Sequence, residues 1–398
     1  MSETERERLE RLILKEFRGV AAIDGSHLAT LRPFKTGDFM PSLLGLMLYC
    51  NGHSLRGTSR TNPNGLIYAD DTTLFGIGVF RKTIASPDWH VMISGPWSRG
   101  HGGRDTSIAT VDRFIHRLRT LGVRHETYVR HLDQESYDRF RARGYVPIDA
   151  RPWDPVAPSE DETYSHSRIY LPDIIGPPPQ YEIQTLRGGG NRGHRVKARL
   201  SFNRFSNFLD RNNLALVVRD YTRANRSTAE LLVRHHFNVL KNPVGSTPED
   251  YLALIEFDPE QGGDQYFGKM GFLESAGGGS GVPQPPTPIL LFLGEKTNTT
   301  TVALYATFAN RHSAVLDSCV DPTGFSAISQ FAYLLLFRSL REHGIDWVDV
   351  GGSETLSLDT FKRQLGATQR VTRWVVAPPD LHPGEPTSDE LKSASNSA

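Results

Sequence analysis

The hydrophobic pattern of this chain switches between the two-residue period of strands and the 3.6-residue period of helices, in two successive passes. In the first pass, "GLIYADD", "LFGIGVFRK" and "HVMISGP" read as three strands, rich in β-branched or aromatic residues and bounded by Gly, Pro or Asp. "SIATVDRFIHRLRTLG" comes next as an amphipathic helix ended by Gly122, then "VRHETYVRHL" as a strand, "QESYDRFRARG" as a short helix and "YVPIDA" as a strand. The second pass opens on the strand "NLALVVRDYT" and the helix "STAELLVRHHFNVLK", where Ser227 and Glu230 have capping-box spacing. "PEDYLALIEF" fits either period. "PILLFLGE" and "TTVALYATFAN" read as a strand pair, followed by "HSAVLDSCV", the long helix "FSAISQFAYLLLFRSLREH", Gly344 and the strand "IDWVDV". The same order of elements recurs without a residue-level repeat, so any duplication is one of topology.

A chain of 398 residues makes two domains or one large one. Its 10% aromatic content argues against a disordered chain. Charge is balanced, 45 Lys and Arg against 45 Asp and Glu, so any role with nucleic acid must rest on local charge. Cys50 and Cys319 are the only cysteines and lie far apart, which excludes a disulfide scaffold or a cysteine-rich zinc module and points to a reducing compartment. The first residues form a charged amphipathic helix with Leu9, Leu12, Ile13 and Phe17 on one stripe, and lack the apolar centre of a signal peptide. The longest apolar run, "FAYLLLF", falls far below the roughly 18 residues of a membrane span. A soluble, cytoplasmic protein is expected.

No metal site is expected. His235 and His236 are adjacent on a helix and point different ways, and there is no HExxH. There is no G-x-S-x-G elbow, and "GGGNRG" lacks the spacing and the preceding strand of a dinucleotide fingerprint. The polar, proline-bearing stretch "RPWDPVAPSEDETYSHS" marks a boundary region. The expected organisation is a charged helix over 1–20, a first domain over 21–175, a basic connecting segment over 176–212 and a second domain over 213–376. A flexible insertion over 274–288 and a disordered polar tail over 377–398 complete it.

Three stretches carry candidate sites. In "DPTGFSAISQ", Asp321 suits an N-cap and Pro322 the first helical position, so the helix start offers backbone N–H groups to an anion, with Gln330 a turn or two inside. Between Arg187 and Arg211 lie seven basic residues (Arg187, Arg192, Arg195, Lys197, Arg199, Arg204, Arg211) against Asp210 alone. Phe202, Phe205 and Phe208 recur there at three-residue spacing, giving a helix with an aromatic inner face and a basic outer face. A solvated surface is one reading. The six-to-one excess of Arg over Lys and the preceding "GGG" favour a phosphate backbone as the other.

The third stretch is "WVDVGGSETLSLDTFKRQLGA", Trp347 to Ala367. Gly351 and Gly352 allow a turn after the strand, Ser353 or Ser357 can cap the helix beyond it, and Gly366 closes that helix. Ligands in open α/β sheets gather where strands end, so Asp349, Ser353, Glu354 and Lys362 fall where chemistry often sits. A lysine beside a reacting carbonyl stabilises the oxyanion formed on attack; the bland alternative is a surface Lys–Glu pair worth less than about 1 kcal/mol. Asp349, Glu354 and Asp359 all remain open as a general base.

"VDVGGSETLSLDTFKRQLGA", preceded by a helix ending in "REHGI", resembles the C-terminal catalytic domain of phosphatidylglycerol lysyltransferases. It is similar, more distantly, to the peptidyl transferases that add amino acids to cell-wall precursors. The resemblance is carried by Gly351, Gly352, Ser353, Phe361, Lys362 and Gly366, and extends loosely from Thr73 to Val376. "RLSFNRFSNF" also looks like the segment joining that family's two halves. The resemblance implies an α+β fold of tandem GNAT (acyl-CoA N-acyltransferase-like) domains, with mixed central sheets flanked by helices. It implies aminoacyl-tRNA as donor substrate, no cofactor, and an amine or hydroxyl of a lipid or small molecule as acceptor, with no double-stranded DNA.

By the same resemblance Lys362 would stabilise the tetrahedral intermediate or contact the terminal adenosine, with Asp349 and Glu354 in the catalytic set. Gly351, Gly352, Ser353, Phe361 and Gln330 would bind substrate. Arg187, Arg192, Arg195, Lys197, Arg199 and Arg204 would hold the acceptor end of the tRNA. The multi-helix flippase region of the membrane members has no counterpart here, which turns the expectation toward soluble members that load an amino acid onto small molecules in natural-product pathways. Two rivals share the fold. One is an acyl-CoA-dependent N-acyltransferase, whose Q/R-x-x-G-x-G/A loop "DPTGFSAISQ" does not reproduce. The other is a non-catalytic module that binds tRNA or peptide.

Overall fold

The computed structural model describes residues 5–34, 42–50, 65–81, 89–100, 102–148, 166–184, 192–239, 248–256, 265–276, 286–309, 327–353, 356–371 and 373–379. The helices are α1 (Glu5–Glu16), α2 (Leu28–Leu31), α3 (Leu43–Cys50), α4 (Arg104–Thr120), α5 (Gln134–Ala142), α6 (Arg192–Arg211), α7 (Arg226–Val239), α8 (Pro248–Glu256), α9 (Ile328–Glu342) and α10 (Leu356–Gln364). The strands of the first half are β1 (Val20–Ala22), β2 (Leu66–Ala69), β3 (Thr73–Arg81), β4 (Trp89–Ser98), β5 (Glu126–Leu132), β6 (Val146–Pro147) and β7 (His166–Tyr170). Those of the second are β8 (Leu214–Asp220), β9 (Tyr266–Ser275), β10 (Thr287–Lys296), β11 (Thr301–Ala309), β12 (Trp347–Asp349), β13 (Ala367–Val371) and β14 (Trp374–Ala377).

Two seven-stranded sheets result, with orders β1-β2-β3-β4-β5-β14-β6 and β8-β9-β10-β11-β12-β7-β13. In each, the fourth and fifth strands are the parallel pair and every other neighbour is antiparallel. A long helix, α4 or α9, makes the crossover that a parallel pair requires. Among the described residues both halves run helix, strand, two helices, three strands, crossover helix, strand, helix, strand, strand, short 3-10 turns aside. This is a tandem GNAT-like α+β fold, and the described elements recur in the same order in both halves.

The final strand of each half lies in the sheet of the other. β7 inserts between β12 and β13, and β14 between β5 and β6. The expected boundaries at 175 and 376 therefore do not follow the sheets: residues 166–170 belong with the second and 374–377 with the first. Neither sheet is built from one contiguous stretch of chain.

Among the described residues four buried apolar clusters hold these layers, three of them large and one a small set of Met92, Tyr128, Val375 and Ala377. One large cluster packs α3 against α7, α8 and the face of the second sheet bearing Leu291, Leu293 and Phe308, so it ties the two halves together. Ser42 caps α3 by accepting the Gly45 N–H at 3.1 Å, and the buried Glu295 carboxylate on β10 accepts the Leu44 N–H at 3.0 Å. A carboxylate at a helix start meets both the unpaired donors and the positive end of the helix dipole. The opposite face of the second sheet packs on α6 and α9 through Phe205, Phe208, Phe331 and Phe337. In the first half, α1 and α4 cover Phe75, Ile77, Val91 and Val129.

Some local expectations are corrected. Ser227 and Glu230 lie inside α7, and the capping box is formed one turn earlier by Thr222 and Asn225. "PEDYLALIEF" is helical over α8. The long helix begins at Ile328 with Ala327 at its N-cap, while Asp321 and Pro322 lie outside the described residues, as do "HSAVLDSCV" and Cys319. The ends of the expected flexible insertion are strand, in β9 and β10; 277–285 lie outside the described residues, as do 380–398 of the tail. Among the described residues no helix is long and apolar enough to cross a membrane.

Candidate active site

β12 runs between parallel β11 and antiparallel β7, a register that sets Asp349 beside Ala303 on one side and Arg168 on the other. Asp349 is completely buried. Arg168 Nε donates to its Oδ2 at 3.1 Å, and the Gly351 N–H donates to its Oδ1 at 2.9 Å. His166, two residues before Arg168 and so on the same face of β7, brings its Nδ1 to 3.7 Å from Oδ1. Burial pushes the carboxyl upward. The His166 ring, the Arg168 guanidinium and the Gly351 N–H together outweigh it and hold Asp349 below the ordinary carboxylate value.

Beyond Asp349 the chain turns. Gly351 has φ +71°, in the left-handed region that glycine enters without penalty. Its carbonyl accepts the Ser167 N–H at 3.0 Å and the Lys362 ammonium at 3.2 Å. Lys362 Nζ also donates to the Gly352 carbonyl. An ammonium has three donors, so two of those on Lys362 grip the turn from α10. The Ser353 hydroxyl ends the turn, fully buried and without a hydrogen-bond partner among the described residues, as is the Ser167 hydroxyl on β7. A buried hydroxyl left unpaired costs about 1–3 kcal/mol, so two of them around one turn mark a place for a polar group to arrive.

The other sequence candidates fall in varied places. Phe361 is half-buried with its ring edge-on to Tyr333 at 5.6 Å, which anchors α10 against α9. Gln330 lies half-buried in the first turn of α9, toward the end of the sheet where Asp349 sits. Asp359 is fully buried and bound by Arg363 at 2.5 Å and by Arg370, so its carboxylate braces α10 and is not placed to act as a base. Glu354 and Arg187 lie outside the described residues. Arg192, Arg195 and Lys197 are in α6 with side chains outside the described set, whereas Arg199 and Arg204 are exposed. Phe205 and Phe208 are buried beneath them and Phe202 stacks on Phe331 at 4.6 Å, giving the aromatic inner face and basic outer face expected of this helix.

His166, Ser167 and Arg168 join the site unannounced by the sequence. They stand 181 residues from Asp349 in the Arg168 pair, and only the exchange of β7 brings them there. Among the described residues no group of three or more His, Cys, Asp or Glu side chains is placed to hold a metal ion.

No protein-family model and no curated protein matches the sequence. Solved structures do match in shape. A conserved protein of unknown function from Bacteroides thetaiotaomicron VPI-5482 has a TM-score of 0.56 at 12% identity, covering 90% of this chain and 98% of its own. FemX has a TM-score of 0.54 at 10% identity, with 91% and 98% covered. L-PGS from Bacillus licheniformis has a TM-score of 0.48 at 11% identity, with 98% and 96% covered. The first two extend over nearly the whole length of both chains. At such identities the likeness is one of fold alone.

Proposed function

We propose that this chain is an aminoacyltransferase that moves an amino acid from aminoacyl-tRNA to an amine or hydroxyl of a small-molecule or lipid acceptor, with its centre at the end of β12. The observation that carries this reading is the meeting of the glycines and the lysine that bear the sequence resemblance: Lys362 binds the carbonyls of Gly351 and Gly352, eleven and ten residues before it. In the reaction an acceptor nitrogen or oxygen attacks the ester carbonyl, the bond from that carbon to the ribose oxygen breaks, and the acceptor's proton passes to the departing ribose oxygen, which leaves as the hydroxyl. Charge builds on the carbonyl oxygen, and the third donor of Lys362 would meet it.

Ester aminolysis runs downhill, so orientation and charge stabilisation are the main demands on the protein. Asp349 has both carboxylate oxygens already taken, by Arg168 and the Gly351 N–H. It acts as a positioning residue, fixing the turn through the Gly351 N–H. Ser353 would hydrogen-bond the arriving aminoacyl group. Arg199 and Arg204 on the outer face of α6 would neutralise tRNA phosphates.

The test is transfer from a pool of radiolabelled aminoacyl-tRNAs to candidate amines and lipids, with release of label followed separately and acetyl-CoA as control. Acceptor-dependent transfer of one amino acid, lowered about 10²–10³-fold by Lys362→Ala, is expected. Transfer only from acetyl-CoA would overturn the donor. Retained tRNA binding with no transfer to any acceptor would make the chain a binding module.

A further inference from the structure

Lys362 reaches the turn from α10, a helix of nine residues. A helix that short has little stability of its own, so its position is set by what it touches. Phe361 holds it to α9 through the ring of Tyr333. Asp359, in its first turn, meets Arg370 of β13. Asp359 is wholly buried and stands three residues before Lys362, which makes the two neighbours on one face of the helix.

The contact with Arg370 closes a ring. Arg370 lies opposite Ser167 in the pairing of β13 with β7, and directly opposed residues share a face of the sheet. The Ser167 N–H donates to the Gly351 carbonyl at 3.0 Å, and the Lys362 ammonium binds that same oxygen at 3.2 Å. From Lys362 the ring returns along α10 to Asp359. Arg363 also binds Asp359, at 2.5 Å, but it stands four residues further along the same helix, so that contact stays within α10. Arg370 is the partner that crosses to the sheet. Two of the three donors of Lys362 are spent on the turn, so where the third points depends on where α10 sits. A reacting group displaced by about 1 Å can lose on the order of 10²-fold in rate.

We propose that Asp359 and Arg370 are positioning residues for the transfer reaction, setting the Lys362 ammonium against the turn by locking α10 onto β13. This role rests on the placement of the transfer centre at Lys362. The pair's hold on the turn runs through Lys362 and Ser167.

The test joins kinetics, with whichever donor the wild type uses, to a measurement on Lys362 that needs no substrate. Asp359→Asn and Arg370→Gln, the second a milder change at a partly exposed side chain, should each lower kcat about 10–100-fold and leave KM within about twofold. In a Lys362→Ala background neither should lower transfer further, because both act through the ammonium. Arg363→Ala should transfer as the wild type does. Brief acetylation with acetic anhydride, read by mass spectrometry, should modify Lys362 at least about tenfold faster in both variants than in the wild type. Lys269 on β9, in the same sheet and away from α10, should keep its rate. If Asp359→Asn does not fold, Arg370→Gln carries both measurements. A further loss on top of Lys362→Ala, an equal loss in Arg363→Ala, or labelling that rises as much at Lys269 as at Lys362 would make the pair a general support of the fold and overturn the role. Unchanged labelling of Lys362 in the folded variants would overturn it as well. A wild type that transfers from no donor would sink the aminoacyl reading alone, and the labelling would then decide whether the pair sets Lys362.

Discussion

Asp349 is ionised at complete burial because three groups, two from β7 and one from the turn, converge on it. Breaking such a set from one side leaves Arg168 and His166 without their counter-charge. Asp349→Asn should therefore cost on the order of 3 kcal/mol at neutral pH, tempered by the partial exposure of Arg168. The sign with pH is set by the depressed folded value. The contribution is fully present above the unfolded value of about 3.9 and is lost as pH falls through the folded one. Urea unfolding of both proteins should show the gap widest near pH 7 and closing below about pH 4. A constant gap across that range would mean that the loss is one of packing. Ser353→Ala makes the opposite prediction: the hydroxyl has no partner among the described residues to lose, so stability should hold or rise by up to about 1 kcal/mol while aminoacyl transfer falls. Lost stability would place the hydroxyl in the scaffold. Asp349, the two glycines, Ser353 and Lys362 are legible in the sequence because they lie within 14 residues of one another along the chain. His166 and Arg168 are not, since no local pattern encodes a pairing across 181 residues.

At the scale of elements, helix ends are more legible in the sequence than helix starts. Both crossover helices stop in the same way. Gly122 (φ +79°) is followed by the Val123 N–H donating to Leu118, and Gly344 (φ +76°) by the Ile345 N–H donating to Leu340. The glycine stands in the sequence because the left-handed conformation demands it, and Val123 and Ile345 then cover the last turn with a buried apolar side chain. A Cβ on either glycine meets nothing within 4 Å, so the cost of substitution is purely conformational. Gly122→Ala and Gly344→Ala should each lower stability by about 1 kcal/mol, measured by thermal or urea unfolding, and by nearly equal amounts. Unequal losses would mean that the two halves differ in ways their shared topology hides. Helix starts allow more substitutes. Thr222 with Asn225 performs the capping that Ser227 and Glu230 mimic one turn later, and α9 starts at Ala327 with no side-chain cap at all. Among the strands hidden in the sequence are β7, β13 and β14. They are four or five residues long, and Arg168, Gln369 and Arg370 interrupt the alternation that would betray them.

Those hidden strands decide how the whole molecule holds together. β14 lies between β5 and β6, with Val376 fully buried in the first core, and β7 lies between β12 and β13, with Ile169 fully buried in the second. The core between α3 and the second sheet adds a further tie across the halves. A chain ending at Val371 would keep every residue of the second sheet yet lose the strand next to the edge of the first. Amide exchange should then show β5 and β6 losing protection, because each faces an empty strand position where backbone N–H and C=O groups had partners. β8, β9 and β10, far along the other sheet, would lose protection only if the shared core couples the two. The same logic applies to residues 1–184 and 192–398 made as separate fragments. Each would present a gap in its own sheet and an orphan strand belonging to the other, so neither should give a cooperative unfolding transition alone. Produced together, they should assemble and unfold as one unit. Two fragments that fold independently would show the exchange to be dispensable, and would separate the candidate site from His166 and Arg168, which reach it only through β7.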